Sequence, residues 1–178
     1  WMPVRLGGTA SLRDGTRLFR RLRFGRLAEI SMLDLRTYRS QQVRTPAPTP
    51  VPAPTPGVSD PDRTILGAAQ LAWLKASLRR GGAQWKLVGN PVMIAPVTFA
   101  SLPRDLIDPI NDVTGLLPDD GFPYNVDQWD GYTADRQRIL AHIRDHHVQN
   151  ALFVTGDIHS GWAAEVPHDV GTYPLGGA

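Results

Sequence analysis

Apolar and polar positions mix in rough alternation over Thr16-Arg17-Leu18-Phe19-Arg20-Arg21-Leu22-Arg23-Phe24, stop at Gly25, and resume over Leu27-Ala28-Glu29-Ile30-Ser31-Met32-Leu33-Asp34. A period near two, interrupted by glycine, predicts an exposed-edge hairpin or an adjacent strand pair. From Ser59 the period lengthens. Ser59-Asp60-Pro61-Asp62-Arg63-Thr64 supplies turn and capping residues, and Leu71, Trp73, Leu74 and Leu78 recur at helical spacing. Arg79-Arg80 and Gly81-Gly82 then give cations in a last turn and a glycine stop. A short strand follows over Gln84-Trp85-Lys86-Leu87-Val88-Gly89, with Asn90 at its carboxyl end.

Residues 91–132 show little periodicity and many prolines, a length of loop that is usually functional or disordered. Phe99, Phe122, Tyr124, Trp129 and Tyr132 argue for an ordered one. Thr133-Ala134-Asp135 opens a second helix, whose apolar face is Ile139, Leu140, Ile143 and His147. Ala151-Leu152-Phe153-Val154 reads as a buried strand, and Trp162-Ala163-Ala164-Glu165-Val166 as the next one, antiparallel to it.

The chemistry concentrates where that buried strand ends, in Thr155-Gly156-Asp157-Ile158-His159. Ligands of α/β folds bind outside the carboxyl ends of the strands. If the chain stays extended, Asp157 and His159 point the same way while Ile158 points into the core. A hard carboxylate oxygen beside an imidazole nitrogen suits a metal centre, and Gly156 leaves room for close approach. The plainer alternative is a capping Asp157 and a hydrogen-bonded loop His159.

Asp34-Leu35-Arg36-Thr37-Tyr38-Arg39-Ser40 carries two guanidinium groups at a strand end, which reads either as a phosphate clamp or as a solvated or Asp34-paired turn. His142 and His146 share a helix face, so a metal site is one reading; exposed histidines favourable to the helix dipole are the other. Over 45–57, six prolines fall at every second position, an extended, solvent-exposed loop insertion within one domain spanning 1–178.

Charge and composition narrow the function classes. The net charge of +2 is small, and the basic residues gather mainly near the start rather than along a helix with interleaved aromatics, which disfavours nucleic-acid binding. No apolar run approaches the roughly 18 residues of a transmembrane helix, and no signal-peptide pattern opens the chain. With zero cysteines, a metal here would be held by Asp, His, Asn, Tyr or backbone oxygen. The start at Trp1 and the close in Pro174-Leu175-Gly176-Gly177-Ala178 suggest a piece of something larger.

Several segments together resemble the PhoD-like alkaline phosphatases, a branch of the calcineurin-like metallophosphoesterases, over nearly the whole chain from Trp1 to about Pro167. They are Arg23-Phe24-Gly25 with Met32-Leu33-Asp34-Leu35-Arg36-Thr37-Tyr38-Arg39; Arg63-Thr64-Ile65-Leu66-Gly67 with Gln70, Trp73 and Leu74; Trp85-Lys86 with Gly89-Asn90; Trp129-Asp130-Gly131-Tyr132; and Gly156-Asp157-Ile158-His159. The resemblance implies an α/β fold, part of a four-layer α/β/β/α sandwich, with its N-terminal half and final strands outside this sequence. It implies hydrolysis of phosphate esters, Asp157 and His159 as metal ligands, and Arg36 and Asn90 near substrate.

Calcium and iron are the ions the resemblance implies, and export, often by the twin-arginine route, is the implied location. Metal-bound water or hydroxide would be the nucleophile. The family's other Asp, Cys and Tyr ligands, and its W-D-D-H-E-like segment, would lie upstream of Trp1, and no residue here is assigned as catalytic. The isolated chain is therefore expected to be a poor phosphatase. The alternative is a catalytically inactive fragment serving as a structural or binding module.

Overall fold

A computed structural model describes residues 17–44, 57–80, 82–99, 109, 113, 122–156 and 158–167. The proline-rich stretch 45–56, and with it the expected extended insertion, lies outside these residues. Its flanks are tied together: Ser40 donates its backbone N–H to Thr64 O at 2.7 Å, and Arg63 Nη1 donates to Gln41 O at 2.8 Å.

The expected strand pair is an antiparallel hairpin of β1 (Arg20–Phe24) and β2 (Ala28–Met32). Its turn places Gly25 at φ 57, a left-handed conformation that glycine adopts without steric cost. Next come α1 (Ala68–Arg79), β3 (Trp85–Asn90), the short antiparallel pair β4 (Thr98–Phe99) and β5 (Phe122–Pro123), α2 (Thr133–Asp145) and β6 (Ala151–Thr155). The main sheet runs β1-β2-β3-β6, with β2, β3 and β6 parallel. Parallel neighbours need crossovers, and the helices provide them.

The two faces of the sheet differ. Val88, Ala151 and Phe153 lie on one face and pack with Leu74 and Leu78 of α1 and Ile139 and Ile143 of α2. Fully burying a leucine such as Leu74 contributes about 1.5–3 kcal/mol. The strand register lines Leu22, Ile30, Leu87 and Leu152 across the other face. There Leu22 and Leu152 remain 44% and 50% exposed. A sheet apolar on both faces is the inner layer of a layered α/β fold. The chain thus carries one helix layer and one sheet layer of the expected sandwich.

Three local expectations are corrected. The first helix starts at Ala68, after Gly67 at φ 72, and no side chain caps it. The Ser59–Thr64 segment forms turns as expected, but its Thr64 Oγ1 accepts the N–H groups of Leu66 and Gly67, ahead of the helix, rather than capping it. His147 leaves the apolar face of α2, because the helix has ended and His147 sits exposed at φ 50. Residues 162–166 form no strand: β3 is the one ladder partner of β6 among the described residues, and Val166 reaches the core without pairing.

Candidate functional site at the sheet edge

Parallel strands bring their carboxyl ends to one edge. Asn90 pairs in register with Thr155, and Leu33, just past β2, donates its N–H to Gly89 O at 2.9 Å. Leu33, Asn90 and Thr155 therefore stand level at this edge, with Asp34 the next residue after Leu33 and Gly156 the next after Thr155. Asn90 is buried, and both ends of its amide are engaged. Its Oδ1 accepts the indole N–H of Trp129 at 3.0 Å, and its Nδ2 donates to Thr155 Oγ1 at 3.4 Å. An indole nitrogen only donates, so the Trp129 contact fixes which end of the amide is oxygen.

Trp129 is held from several sides. It opens a single 3₁₀ turn, Trp129–Gly131, whose Asp130 forms a buried ion pair with Arg136 and accepts the Val97 N–H at 3.0 Å. Losing one partner of such a pair would strand a buried charge, so the turn is firmly anchored to α2. Asp135, expected only to open the helix, reaches back across the domain. Its Oδ2 accepts the Thr64 hydroxyl and the N–H groups of Ile65 and Leu66, the latter two at 2.9 and 3.2 Å.

The two guanidinium groups near the strand end meet a carboxylate that sequence spacing did not reveal. Arg36 Nη1 lies 2.9 and 2.7 Å from the two Asp127 oxygens, and Arg39 Nη1 lies 2.7 Å from Asp127 Oδ1. Partial burial acts to raise the Asp127 pKa, but the hydrogen bonds and charges of Arg39 and Arg36 outweigh it and hold the carboxyl below its usual range. Asp34, the acid adjacent in sequence, pairs with neither guanidinium: its Oδ1 accepts the backbone N–H groups of Arg36 and Thr37 at 3.0 Å each. Its Oδ2 is buried with no hydrogen-bond donor among the described residues. That leftover oxygen at the edge had no signature in the sequence.

At the end of β6 the extended geometry stops. The strand closes at Thr155, residues 158–160 bend, and His159 is exposed at φ 56. His159 itself is thus not in the extended conformation expected of it. Ser160 donates its hydroxyl to Ile158 O at 3.2 Å and accepts the Trp162 indole N–H at 2.6 Å, which stiffens the bend. Asp157 lies outside the described residues. Beside the bend is an open cavity of about 450 Å³, lined by Met93, Ile94, Thr155, Ile158 and Trp162 among others.

The His159 imidazole makes no hydrogen bond among the described residues, so as a nitrogen donor at a strand-end edge it fits a metal ligand in kind. In number the fit is incomplete: no group of three His, Asp or Glu side chains that could hold an ion occurs among those residues. The histidines of α2 do not supply one. His142 and His146 rings stand 4.4 Å apart, but His142 is half-buried, with Nε2 3.0 Å from Lys75 O. A carbonyl only accepts, so that nitrogen carries the proton and is tied to α1. His142 is therefore a bridge between helices, not an exposed end residue.

A mixed sheet with one helix layer, and polar groups gathered where its parallel strands end, defines an α/β protein, and the strand ends are the place where such folds bind ligands. Comparison with known proteins makes this specific. The sequence model described as PhoD-like phosphatase matches residues 1–175, and the chain belongs to that family. It is 31% identical over 170 residues to alkaline phosphatase D of Bacillus subtilis (strain 168), an alignment covering 94% of this chain and 25% of that protein. The solved structure of PhoD superposes with a TM-score of 0.72 at 29% identity, covering 95% of this chain and 28% of that one. The chain thus spans about a quarter of the length of these relatives. No helix among the described residues is long and apolar enough to cross a membrane.

Proposed function

We propose that these 178 residues are part of a metal-dependent phosphoric ester hydrolase. The observation that carries this reading is the family match over residues 1–175. Asp157 would be an anionic oxygen ligand and His159 a neutral nitrogen ligand, with the remaining donors supplied from outside this segment. Calcium and iron are the ions proposed. When bound, the metals would activate water as nucleophile and neutralise charge on the phosphoryl group.

The protein's own groups would place the substrate. Arg36, roughly half exposed, keeps guanidinium surface available beside its Asp127 contact for a phosphate oxygen. Asn90, with its oxygen committed to Trp129 and one amide hydrogen to Thr155, would have only its second N–H to give and would face an oxyanion rather than a cation. An exported location accompanies the reading.

The test is made in the longer protein that contains these residues. Asp157→Asn and His159→Ala are expected to lower metal content and phosphatase rate together by orders of magnitude, since the metal supplies both nucleophile and charge stabilisation. His146→Ala and His147→Ala should do neither. Full metal occupancy with normal rates in the first two variants would remove both residues from the site.

A second reading is favoured by the incomplete ligand set among the described residues: the segment alone is an inactive structural or binding module. Hydrolysis of an aryl phosphate by the isolated chain should then stay at background at alkaline pH. Chelator-sensitive turnover that tracks the purified chain would refute that.

A further inference from the structure

At the opposite end of the same strands lies a second concavity. Arg79 and Arg80 at the end of α1, Lys86 near the start of β3, and His146 and His147 after α2 line a hollow of about 460 Å³. The other lining residues are uncharged, so no carboxylate among the described residues lines it. From Lys86 to Asn90, strand rise puts the two ends roughly 13 Å apart. The hollow is therefore separate from the candidate metal-binding edge.

Two helices end here, and their C-termini together present about one negative charge. Three permanent cations exceed that. Compensation of the helix dipoles accounts for part of the positive charge and leaves roughly two units over.

The backbone adds an independent observation. After α2, His147 N–H bonds to Arg144 O at 3.1 Å and Val148 N–H to Ile143 O at 2.9 Å. This is the Schellman arrangement, and it puts His147 in the left-handed position where glycine is the unstrained residue. Conformational strain retained at a cleft is a pointer to function. Here it keeps an imidazole on the rim of the hollow.

We propose that this hollow binds a multivalent phosphate-bearing anion. Arg79 and Arg80 would each take oxygens through the guanidinium fork. Lys86 has one hydrogen bond to Gln149 O, at 3.3 Å, and two further N–H donors to give. Three cations from two elements around a hollow of this size suit an anion with at least two phosphate groups better than a single phosphate.

Calorimetric titration of the 178-residue chain with pyrophosphate and with inorganic phosphate, at one fixed low salt concentration, tests this. Pyrophosphate is expected to bind saturably, about tenfold more tightly than phosphate. Arg80→Gln and Lys86→Gln should each weaken it about fivefold or more with unchanged far-ultraviolet circular dichroism. Arg44→Gln, at an exposed arginine outside the hollow, should leave it unchanged. His147→Gly should raise the melting temperature and weaken binding. No saturable pyrophosphate binding, unchanged affinity in the Arg80 and Lys86 variants, or an equal loss in the Arg44 variant would each overturn the proposal, the last by showing diffuse charge attraction.

Discussion

Trp129 and Asn90 are joined by a buried hydrogen bond, indole N–H to amide oxygen at 3.0 Å, that ties the loop before α2 to the end of β3. The sequence separates them by 39 positions. Trp129→Phe keeps most of the ring and removes the donor. Stranding a buried acceptor costs about 1–3 kcal/mol, so urea melts should show a loss of that size. An unchanged midpoint would mean that water or another donor takes the place of the indole.

Gly131 predicts a steric failure close by. A Cβ built there would lie 1.9 Å from Val126 O and 2.8 Å from Val126 C, both backbone atoms that cannot swing aside. Gly131→Ala should therefore cost about 1–3 kcal/mol or more, as overpacking does. A stability equal to wild type in denaturant melts would show that the 3₁₀ turn can move without cost.

Asp127 links stability to acid. Its carboxyl is held below the usual range in the folded state, so its contribution is fully present above the unfolded carboxylate value, about 3.9, and is lost as pH falls through the folded value. Asp127→Asn should be the less stable protein near neutrality, and the gap should close on acidification. Melts across that pH range check it; a gap that stays constant to low pH would contradict the assignment.

His142 links stability to a higher window. Partial burial, aided by the charges of His146, Lys75 and Arg79, pushes its pKa down despite the hydrogen bond to Lys75 O. The folded protein thus disfavours the charged imidazole. Its contribution is present above the unfolded value of about 6.5 and is lost as pH falls through the folded value. Compared with His142→Gln, wild type should lose stability as pH is lowered from about 7 to about 5. Denaturation curves that stay parallel across that range would show that His142 does not titrate differently on folding.

Local pattern determined the elements. The glycine-broken alternation marked β1 and β2, the leucine spacing marked α1, and apolar runs ending in Asn90 and Thr155 marked β3 and β6, because backbone period and side-chain burial are read from neighbours along the chain. The family resemblance was legible for the same reason, as short motifs at strand ends and at the starts of the two helices. Helix boundaries were less so: α1 begins at Ala68 because the Thr64 hydroxyl and Asp135 take the N–H groups of the residues before it. Asp135 is 71 positions from Thr64.

Tertiary structure alone decided partnership. Arg36 and Arg39 were visible as a cationic pair, but the acid that joins them, Asp127, is separated from Arg36 by 91 positions. The basic hollow is likewise assembled from three elements, each of whose charges reads as ordinary surface when taken singly. His147 follows the helical spacing of α2 in sequence, yet the Schellman turn takes it off the helix. Periodicity records what each residue does with its neighbours along the chain. Which distant carboxylate, carbonyl or indole satisfies a buried polar group is fixed only when the sheet register and the helix docking bring them within hydrogen-bond reach.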